Sequence, residues 1–247
     1  MSASKFYAII AGVGSGTGRS VALKFAESYS IILLSRSPAS YKDIAAEINQ
    51  RGGSAVGIDA DASDLASLRT AFARIKEEVG DKQLAAAVYN VGGSFVRKPF
   101  LELTPEEFAS GFQSNGQGLY NFASLSLPLL LSSVSSSPHP PSLLLTGATA
   151  SLRGSAQLAS FASGKFALRA VGQSLAREFG PKGVHVAHVI IDGVIDIPRL
   201  QQWEVNGGAP EGKISSAAIA DTYWHLHTQP RSAFTQEIDL RPYVEKF

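Results

Sequence analysis

Cysteine is absent from the 247 residues, and its absence excludes disulfides, a thiolate nucleophile and thiolate metal ligands. Long apolar runs are absent as well. The richest stretch, 119–131, is interrupted by polar residues and a proline, so it is too short and too polar to cross a bilayer. The first residues have neither the charged nor the apolar region of a signal peptide. We therefore expect a soluble, cytoplasmic protein that does not bind membranes.

An excess of charge of one sign is also missing. The chain has 22 Lys and Arg against 21 Asp and Glu, which predicts no basic surface large enough to bind nucleic acid. Hydrophobic residues make up 45% of the chain, enough for one full-sized core. With no repeat and no linker in the sequence, we expect a single domain over 1–247.

Short apolar runs alternate with longer helical patterns along the chain. This alternation predicts a doubly wound parallel sheet of about seven strands, with helices on both faces. The predicted strands are 5–11, 30–35, 55–59, 84–91, 142–146, 184–191 and 234–240. The predicted helices are 16–28, 39–51, 63–79, 104–131, 157–179 and 215–226. An irregular segment at about 194–213 is expected to cover a substrate.

A glycine-rich segment follows the first predicted strand and opens the first predicted helix. Gly12, Gly16 and Gly18 have the spacing Gly-x-x-x-Gly-x-Gly. Glycine lets the backbone approach a pyrophosphate, and the helix N-terminus offers N–H groups and a positive dipole end. A plain flexible turn is the alternative, but the strand–helix context favours phosphate binding. The candidate ligands are Gly12, Gly14, Ser15, Gly16, Thr17 and Gly18.

The end of the second predicted strand bears on the choice of nucleotide. An acidic residue there would accept hydrogen bonds from a ribose 2′-hydroxyl, but the chain has Ser35, Arg36 and Ser37. A guanidinium can neutralise a 2′-phosphate, and Arg19 could reach the same group. Solvated surface arginines are the alternative. The pattern predicts NADP(H) in preference to NAD(H).

The glycine spacing resembles that of the short-chain dehydrogenase/reductase family, with Ala11 where that family usually has Thr. The resemblance implies a three-layer Rossmann fold, a nicotinamide cofactor and a small-molecule substrate. It also implies a homodimer or homotetramer through the helices that carry Asn115 and Lys165.

Two further segments resemble cofactor-binding motifs of the family. One is its Asp-Val or Asp-Leu pair at the adenine, with Asp59 as a competing acid two residues earlier. The other is its Asn-Asn-Ala-Gly motif, in which the second Asn would brace the strands. The corresponding residues here are Asp61, Ala62, Asn90, Val91 and Gly92.

The family's four catalytic positions are only half retained. The resemblance assigns the Asn to Asn115 and the ribose-binding Lys to Lys165. The Tyr position, four residues before that Lys, holds Phe161, and the Ser position, thirteen residues before the Tyr position, holds Ala148. A phenyl ring fills similar space but has no proton to exchange, so the usual acid/base is missing.

Nearby residues offer few replacements for the lost hydroxyls. Thr149 and Ser151 lie close to the Ser position in sequence. Enoyl reductases of the family place their Tyr seven residues before the Lys, but this position is Leu158 here. Asn115 stands among glycines inside a predicted helix, which costs about 1 kcal/mol per Gly relative to Ala. We therefore expect the helix to bend or to allow a close contact there.

The segment after the sixth strand resembles the family's Pro-Gly-x-Val-x-Thr, which packs on the nicotinamide. Gly193 and Ile195 match it, whereas Asp192 replaces Pro and Ile197 replaces Thr. The nicotinamide amide could still bond to the backbone of Ile195.

Three functions remain open. The first is an NADP(H) oxidoreductase for a small, partly hydrophobic carbonyl, quinone or imine that does not need the Tyr. The second is a catalytically silent NADP(H)-binding sensor or partner protein. The third, ranked last, is a non-redox enzyme. For this third function, the candidate residues at the mouth of the site are Arg97, Arg153, Gln157 and Trp203. The apolar residues Ile197, Leu200 and Trp203 of the covering segment suggest a partly hydrophobic ligand. His185 and His188 alternate with apolar residues on a strand, which favours packing on the sheet over metal binding.

Overall fold

The computed structural model describes residues 4–93 and 95–246. Nine strands occur in these residues: β1 Phe6–Ala11, β2 Ser30–Ser35, β3 Ala55–Asp59, β4 Gln83–Tyr89, β5 Ser142–Thr146, β6 His185–Ile191, β7 Ile195–Asp196, β8 Ile214–Ser215 and β9 Glu237–Leu240. The α-helices are α1 Thr17–Ala26, α2 Lys42–Gln50, α3 Leu65–Val79, α4 Pro105–Phe112, α5 Gly118–Ser132, α6 Ala159–Phe179 and α7 Ser216–His227.

Seven strands form one sheet in the order β3-β2-β1-β4-β5-β6-β9, and all neighbouring pairs are parallel. The predicted doubly wound sheet is therefore confirmed. β1 pairs with β2 on one side and β4 on the other. After β3 the chain therefore crosses to the other side of β1, and this reversal leaves a crevice between β1 and β4. Ligands of open parallel sheets bind beyond the carboxyl ends of the strands at this crevice.

Each face of the sheet carries its own apolar core. One core contains Leu68 of α3, Phe122 of α5 and Leu168 of α6. The other contains Phe25 of α1 and Tyr223 of α7. Burial on both faces explains the continuous apolar runs that predicted the central strands.

The helix predicted over 104–131 begins with a capping box. The Thr104 Oγ1 atom accepts a hydrogen bond from the Glu107 N–H at 3.2 Å. The Glu107 carboxylate in turn accepts from the Thr104 N–H at 2.9 Å. The predicted single helix is divided, however, because a π-helical turn at Gln113–Gln117 separates α4 from α5.

Other predicted boundaries shift for local reasons. The helix predicted from 157 begins at Ala159, since Gln157 has a left-handed φ of 67°. The helix predicted over 39–51 is a 3₁₀ turn at Pro38–Ser40 followed by α2. Strand β4 ends at Tyr89, opposite the last residue of β1. Strand β9 begins three residues later than predicted, where its pairing with β6 begins.

The segment between β6 and α7 contains short 3₁₀ turns framed by the paired strands β7 and β8. The Lys213 ammonium fixes it by donating to the carbonyl oxygens of Leu200 and Gln201 at 2.7 and 2.9 Å. Among the helices in the described parts of the chain, none is long and apolar enough to span a bilayer.

Candidate cofactor and active site

A cavity of about 480 Å³ opens beyond the carboxyl ends of β1, β4, β5 and β6. It brings together residues that lie far apart in the chain. The predicted site residues in its wall are Gly12, Gly14, Ser15, Gly16, Thr17, Gly18, Asn90, Val91, Gly92, Ala148, Phe161, Lys165, Gly193 and Ile195. The cofactor and catalytic motifs therefore share one site.

The wall also contains residues that sequence reasoning did not select, namely Gly93, Phe95, Thr146, Gly147, Ile191 and Arg199. Thr146 and Ile191 are the last residues of β5 and β6, and their positions at the sheet edge could have indicated them. Arg199 has no such signal, because it lies in an irregular segment whose path only the tertiary structure defines. Ile197, noted as a departure from the family motif, also lines the cavity.

The glycine loop fits a pyrophosphate. Gly12 has a φ of 83°, and a Cβ there would lie 2.4 Å from the carbonyl oxygen of Asn90, so only glycine allows the loop to pack on the end of β4. Thr17 is buried, and its Oγ1 atom has no hydrogen-bond partner within the described residues. The first N–H groups of α1 also lack intrahelical acceptors. A buried hydroxyl and a helix N-terminus are donors suited to phosphate oxygens.

A chain of hydrogen bonds holds the loop in place. Asn90 Nδ2 donates to the Gly12 carbonyl at 2.9 Å, and Thr146 Oγ1 donates to Asn90 Oδ1 at 2.9 Å. The hydroxyl of Tyr223, 2.6 Å from Thr146 Oγ1, completes the chain. Asn90 therefore braces the adjacent strands, as predicted.

Lys165 is 3% exposed and donates from Nζ to the Thr146 carbonyl at 2.9 Å. Burial lowers the pKa of its ammonium from 10.5 to about 8, because desolvation disfavours the charged form. The group remains mostly charged at neutral pH. Its position in the wall leaves it able to hold hydroxyl groups of a bound ribose.

The part of the wall beside Lys165 is apolar. The Phe161 ring centroid lies 6.0 Å from Lys165 Nζ and 5.2 Å from the Phe95 centroid in an edge-on arrangement. Ala148 lines the same cavity. The two residues that the resemblance assigns to the family's hydroxyl positions thus present a phenyl ring and a methyl group to the cavity.

Asn115 lies in the π-helical turn and is 1% exposed. Its Nδ2 atom donates to the Gly111 carbonyl at 3.0 Å. Within the described residues its Oδ1 atom has no hydrogen-bond partner, and an unpaired buried acceptor is costly. The predicted irregularity of this helix is confirmed, although Asn115 does not line the cavity itself.

The proposed substitutes for the missing Ser are both engaged elsewhere. Thr149 Oγ1 donates a hydrogen bond to the Asp192 carboxylate. Ser151 is buried, and its hydroxyl accepts from the Ala148 N–H at 3.1 Å. The Ser151 hydroxyl is therefore bonded to the backbone, whereas the Thr149 hydroxyl is bonded to the side chain of Asp192.

The residues predicted at the 2′ position lie outside the cavity wall. Arg19 is paired with Glu47, which also binds Arg51. Arg36 is exposed, and no hydrogen bond or ion pair holds it within the described residues. Ser37 Oγ accepts from the Ala39 N–H at 3.4 Å. Arg36, directly after Ser35 at the end of β2, is thus the more available of the two predicted arginines.

The adenine candidates are both held by local hydrogen bonds. Asp61 accepts from the Ser63 N–H and hydroxyl at 2.9 and 2.6 Å, and the Ala62 carbonyl accepts from Asn121 at 3.1 Å. Asp59 accepts from the Tyr41 hydroxyl at 3.0 Å. These contacts fix the loop after β3, and they leave both Asp61 and Asp59 as candidates for the adenine contact.

The two histidines considered as metal ligands and the residues expected at the mouth do not take part in the cavity wall. His185 and His188 are buried, and His188 Nδ1 lies 3.0 Å from a Glu237 oxygen. No cluster of three metal-ligating side chains occurs in 4–93 and 95–246. The residues expected at the mouth, Arg97, Arg153, Gln157 and Trp203, all lie outside the wall, as does Leu200 of the covering segment.

A parallel sheet with a glycine-rich loop at its crevice defines a dinucleotide-binding protein of the Rossmann type. The family model described as short chain dehydrogenase matches residues 7–204, and the chain belongs to that family, whose members use nicotinamide cofactors.

Comparisons with individual proteins agree with this assignment. A short-chain dehydrogenase structure from Rhodopseudomonas palustris is 33% identical, with a TM-score of 0.80, and covers 97% of this chain and 99% of its own. The uncharacterized oxidoreductase YghA of Escherichia coli is 24% identical over 94% of this chain and 79% of its own length. A metagenomic short-chain oxidoreductase solved with NADP is 20% identical, with a TM-score of 0.81 over 98% of this chain and 99% of its own. At 20% identity, the similarity to this last structure shows a shared fold and no more.

Proposed function

We propose that this protein is an NADP(H)-dependent oxidoreductase for a small, partly hydrophobic substrate, and that it works without the family's Tyr acid/base. The observation that carries the proposal is the shared cavity. The glycine loop, Lys165 and Phe161 all line it, so the cofactor-binding groups are retained where the phenol is lost. When bound, a nicotinamide dinucleotide supplies or accepts a hydride.

Each cofactor-binding group has a distinct part in this proposal. The N-terminus of α1 and the Thr17 hydroxyl bind the pyrophosphate. Lys165 binds the ribose hydroxyls next to the reacting ring. Arg36 neutralises the 2′-phosphate, which favours NADP(H). Asp61, Ala62 and Val91 contact the adenosine end, and Gly193 and Ile195 contact the nicotinamide. Asn115, whose buried Oδ1 atom has no hydrogen-bond partner in the part of the chain that the structure describes, is suited to hold water near Lys165.

The apolar wall determines which substrates are compatible. Reducing a ketone creates an alkoxide, whose protonation by a positioned acid typically accelerates the reaction by ~10² to 10⁴. Reducing a charged iminium gives a neutral amine and requires no acid at that step. Reduction of a quinone or an activated carbonyl depends less on a positioned acid than reduction of a simple ketone does. Phe95, Phe161 and Ile197 would pack against the apolar part of each of these substrates.

A catalytically silent NADP(H) binder is the second candidate. Its support is the loss of both hydroxyl positions, at Ala148 and Phe161, from a wall that retains the cofactor residues. Such a protein would bind NADPH, transfer no hydride and act through a partner or a conformational response.

We also propose a homodimer or homotetramer through the helices that carry Asn115 and Lys165. Exposed aromatic side chains on this side of the molecule support it, namely Phe108, Phe112 and Phe166. Sedimentation of wild type against Phe112→Ser and Phe166→Ser variants tests this assembly.

The decisive experiment measures NADPH oxidation by wild type and by Phe161→Tyr across aldehydes, ketones, quinones and cyclic imines. We expect wild type to reduce at least one class, and Phe161→Tyr to accelerate ketones most, since the new phenol lies near Lys165. Turnover by the Tyr variant alone would contradict the enzyme proposal and favour the silent binder. NADPH binding by both proteins is the control for an intact site.

A further inference from the structure

The cavity wall has a cationic side chain to which the proposed function gives no part. Among the wall residues that the structure describes, Lys165 and Arg199 carry the charged side chains, and no carboxylate accompanies them. Arg199 is exposed. Its nearest acids along the chain, Asp196 and Glu204, form no ion pair with it, and no other partner holds its guanidinium within 4–93 and 95–246. The guanidinium is therefore available to a ligand in the cavity.

The backbone that carries Arg199 is held firmly on one side. Arg199 lies in the 3₁₀ turn Pro198–Leu200, which follows β7 in the segment that the β7–β8 pairing closes. The Lys213 ammonium donates to the carbonyl oxygens of Leu200 and Gln201 at 2.7 and 2.9 Å. The end of the turn is thus tied back to the start of β8.

The other side of the turn packs on the glycine loop. A Cβ at Gly16 would lie 2.7 Å from Ile197 Cγ2, so the missing side chain lets the covering segment approach the loop closely. Ile197 stands two residues before Arg199. With the backbone held on both sides, the Arg199 side chain reaches the cavity from a defined position.

The rest of the described wall around the two cations includes an apolar surface. Phe95, Phe161 and Ile197 contribute to it. A charged iminium would meet two like charges there and no carboxylate of the described wall, and like charges repel strongly where water is partly excluded. An anion with an apolar body would meet opposite charge and apolar contacts together.

The pyrophosphate of the cofactor is the competing anion. It already has donors in the proposed function, namely the N-terminus of α1 and the buried Thr17 hydroxyl, whose Oγ1 atom has no partner within the described residues. Lys165 is assigned to the ribose hydroxyls. Arg199 is thus the wall cation that is left for a group on the substrate.

We propose that Arg199 binds a carboxylate of the substrate, so that the substrate class is a carbonyl compound with an apolar body and a carboxylate group. The inference deepens the proposed function and rests on it. A guanidinium presents a planar fork of donors that matches the two oxygens of a carboxylate. Arg199 positions the substrate and takes no part in the hydride or proton transfers.

The main test compares wild type with Arg199→Leu on matched substrates, with NADPH as reductant. The substrates are aryl keto acids of increasing chain length, each paired with its neutral methyl ester. Wild type should prefer the acid in at least one pair. Arg199→Leu should lower kcat/KM for that acid roughly 10- to 100-fold, mainly through KM, which corresponds to one charge-assisted hydrogen bond. The ester should react equally well with both proteins.

Two further variants check the specificity of this effect. Arg199→Lys retains the charge without the fork and should recover part of the loss. Arg177→Leu is the matched control, because it removes the same charge at the far end of α6, where the guanidinium donates to the Gln173 carbonyl at 2.9 Å. It should keep the preference for the acid, and an equal loss in Arg177→Leu would overturn the assignment to Arg199.

NADPH affinity decides between the substrate and the cofactor as the partner of Arg199. Arg199→Leu should bind NADPH as tightly as wild type does. If it loses NADPH affinity while the ratio of acid to ester turnover stays unchanged, Arg199 pairs with the cofactor's phosphates and the proposal is wrong. If neither quantity changes, the guanidinium binds no ligand and the proposal is equally wrong.

Binding measured without turnover separates this inference from the proposed function. Calorimetric titration of the keto acids into the NADP⁺-loaded protein should show binding that Arg199→Leu weakens. If the acids bind in this way but no carbonyl, quinone or imine is reduced, the oxidoreductase proposal fails while the anion site stands. If neutral carbonyl compounds are reduced and the acids have no advantage in turnover or binding, this inference fails while the oxidoreductase stands.

Discussion

At the scale of single residues, the identity of one side chain changes the chemistry without changing the shape. Phe161, which the resemblance assigns to the Tyr position, packs edge-on against Phe95, and its ring centroid lies 6.0 Å from Lys165 Nζ. Because a phenyl ring fills nearly the same volume as a phenol, the cavity is retained while the proton is lost. Lys165 is the one described residue in the cavity wall whose side-chain pKa is shifted towards neutrality.

Arg36 gives a residue-scale prediction about nucleotide choice. Charge-assisted hydrogen bonds contribute about 1.5–3 kcal/mol, so Arg36→Ala should weaken NADPH binding roughly 10- to 100-fold. NADH binding should be unaffected, because NADH has no 2′-phosphate. Calorimetric titration with both nucleotides measures the difference.

Arg177→Ala is the matched control, since its guanidinium donates to the Gln173 carbonyl at the far end of α6. Equal loss of NADPH and NADH affinity in Arg36→Ala would argue against a 2′-phosphate contact. A selective loss in Arg19→Ala instead would assign the contact to Arg19 and require that Glu47 release it.

At the scale of elements, helix ends and one irregular turn position the site. The π-helical turn at Gln113–Gln117 separates α4 from α5 and places Asn115 where its Oδ1 atom is buried. The Tyr89 hydroxyl donates to the Ser114 carbonyl at 2.6 Å, which gives a carbonyl of the irregular turn a partner outside the helix. π-Helical turns of this kind often occur at functional sites.

The capping box of α4 gives an element-scale prediction. Thr104→Ala removes the hydroxyl that accepts from the Glu107 N–H and should lower the free energy of unfolding by about 1 kcal/mol. Chemical denaturation measures the change. Thr222→Ala, which removes a hydroxyl from the exposed face of α7, should change stability much less, and equal losses would contradict the importance of the cap.

At the scale of the whole molecule, buried histidines tie distant parts of the chain together. His227 at the end of α7 bonds through Nε2 to the Tyr29 hydroxyl at 2.8 Å and through Nδ1 to Ser142 Oγ at 2.7 Å. Burial lowers the pKa of its imidazole from 6.5 to about 3, with smaller contributions from His139 and His185. The folded protein therefore keeps this ring neutral.

This pKa predicts a direction for stability against pH. Below pH 6.5 the unfolded chain binds a proton at His227 that the folded chain does not bind until about pH 3. The stabilisation is thus complete above pH 6.5 and declines as the pH falls towards 3, by up to about 1.4 kcal/mol per unit. Denaturation between pH 7.5 and 4 measures the slope.

His227→Gln should be less stable at pH 7.5 but should have a shallower slope. The matched variant His225→Gln changes an exposed imidazole on the same helix and should keep the wild-type slope. The same slope in all three proteins would show that His227 does not control it.

Periodicity and motif spacing along the chain were enough to predict the parallel sheet, the glycine loop between β1 and α1, and the interval of four residues between Phe161 and Lys165. These features follow from local periodicity and fixed intervals along one or two elements, so they can be read without the fold. The folded structure was needed to show that Glu47 forms an ion pair with Arg19, that Arg199 and Phe95 line the cavity, and that Thr149 bonds to Asp192. Each of these contacts joins elements far apart in sequence, and its geometry depends on loop paths and side-chain packing that no local pattern encodes.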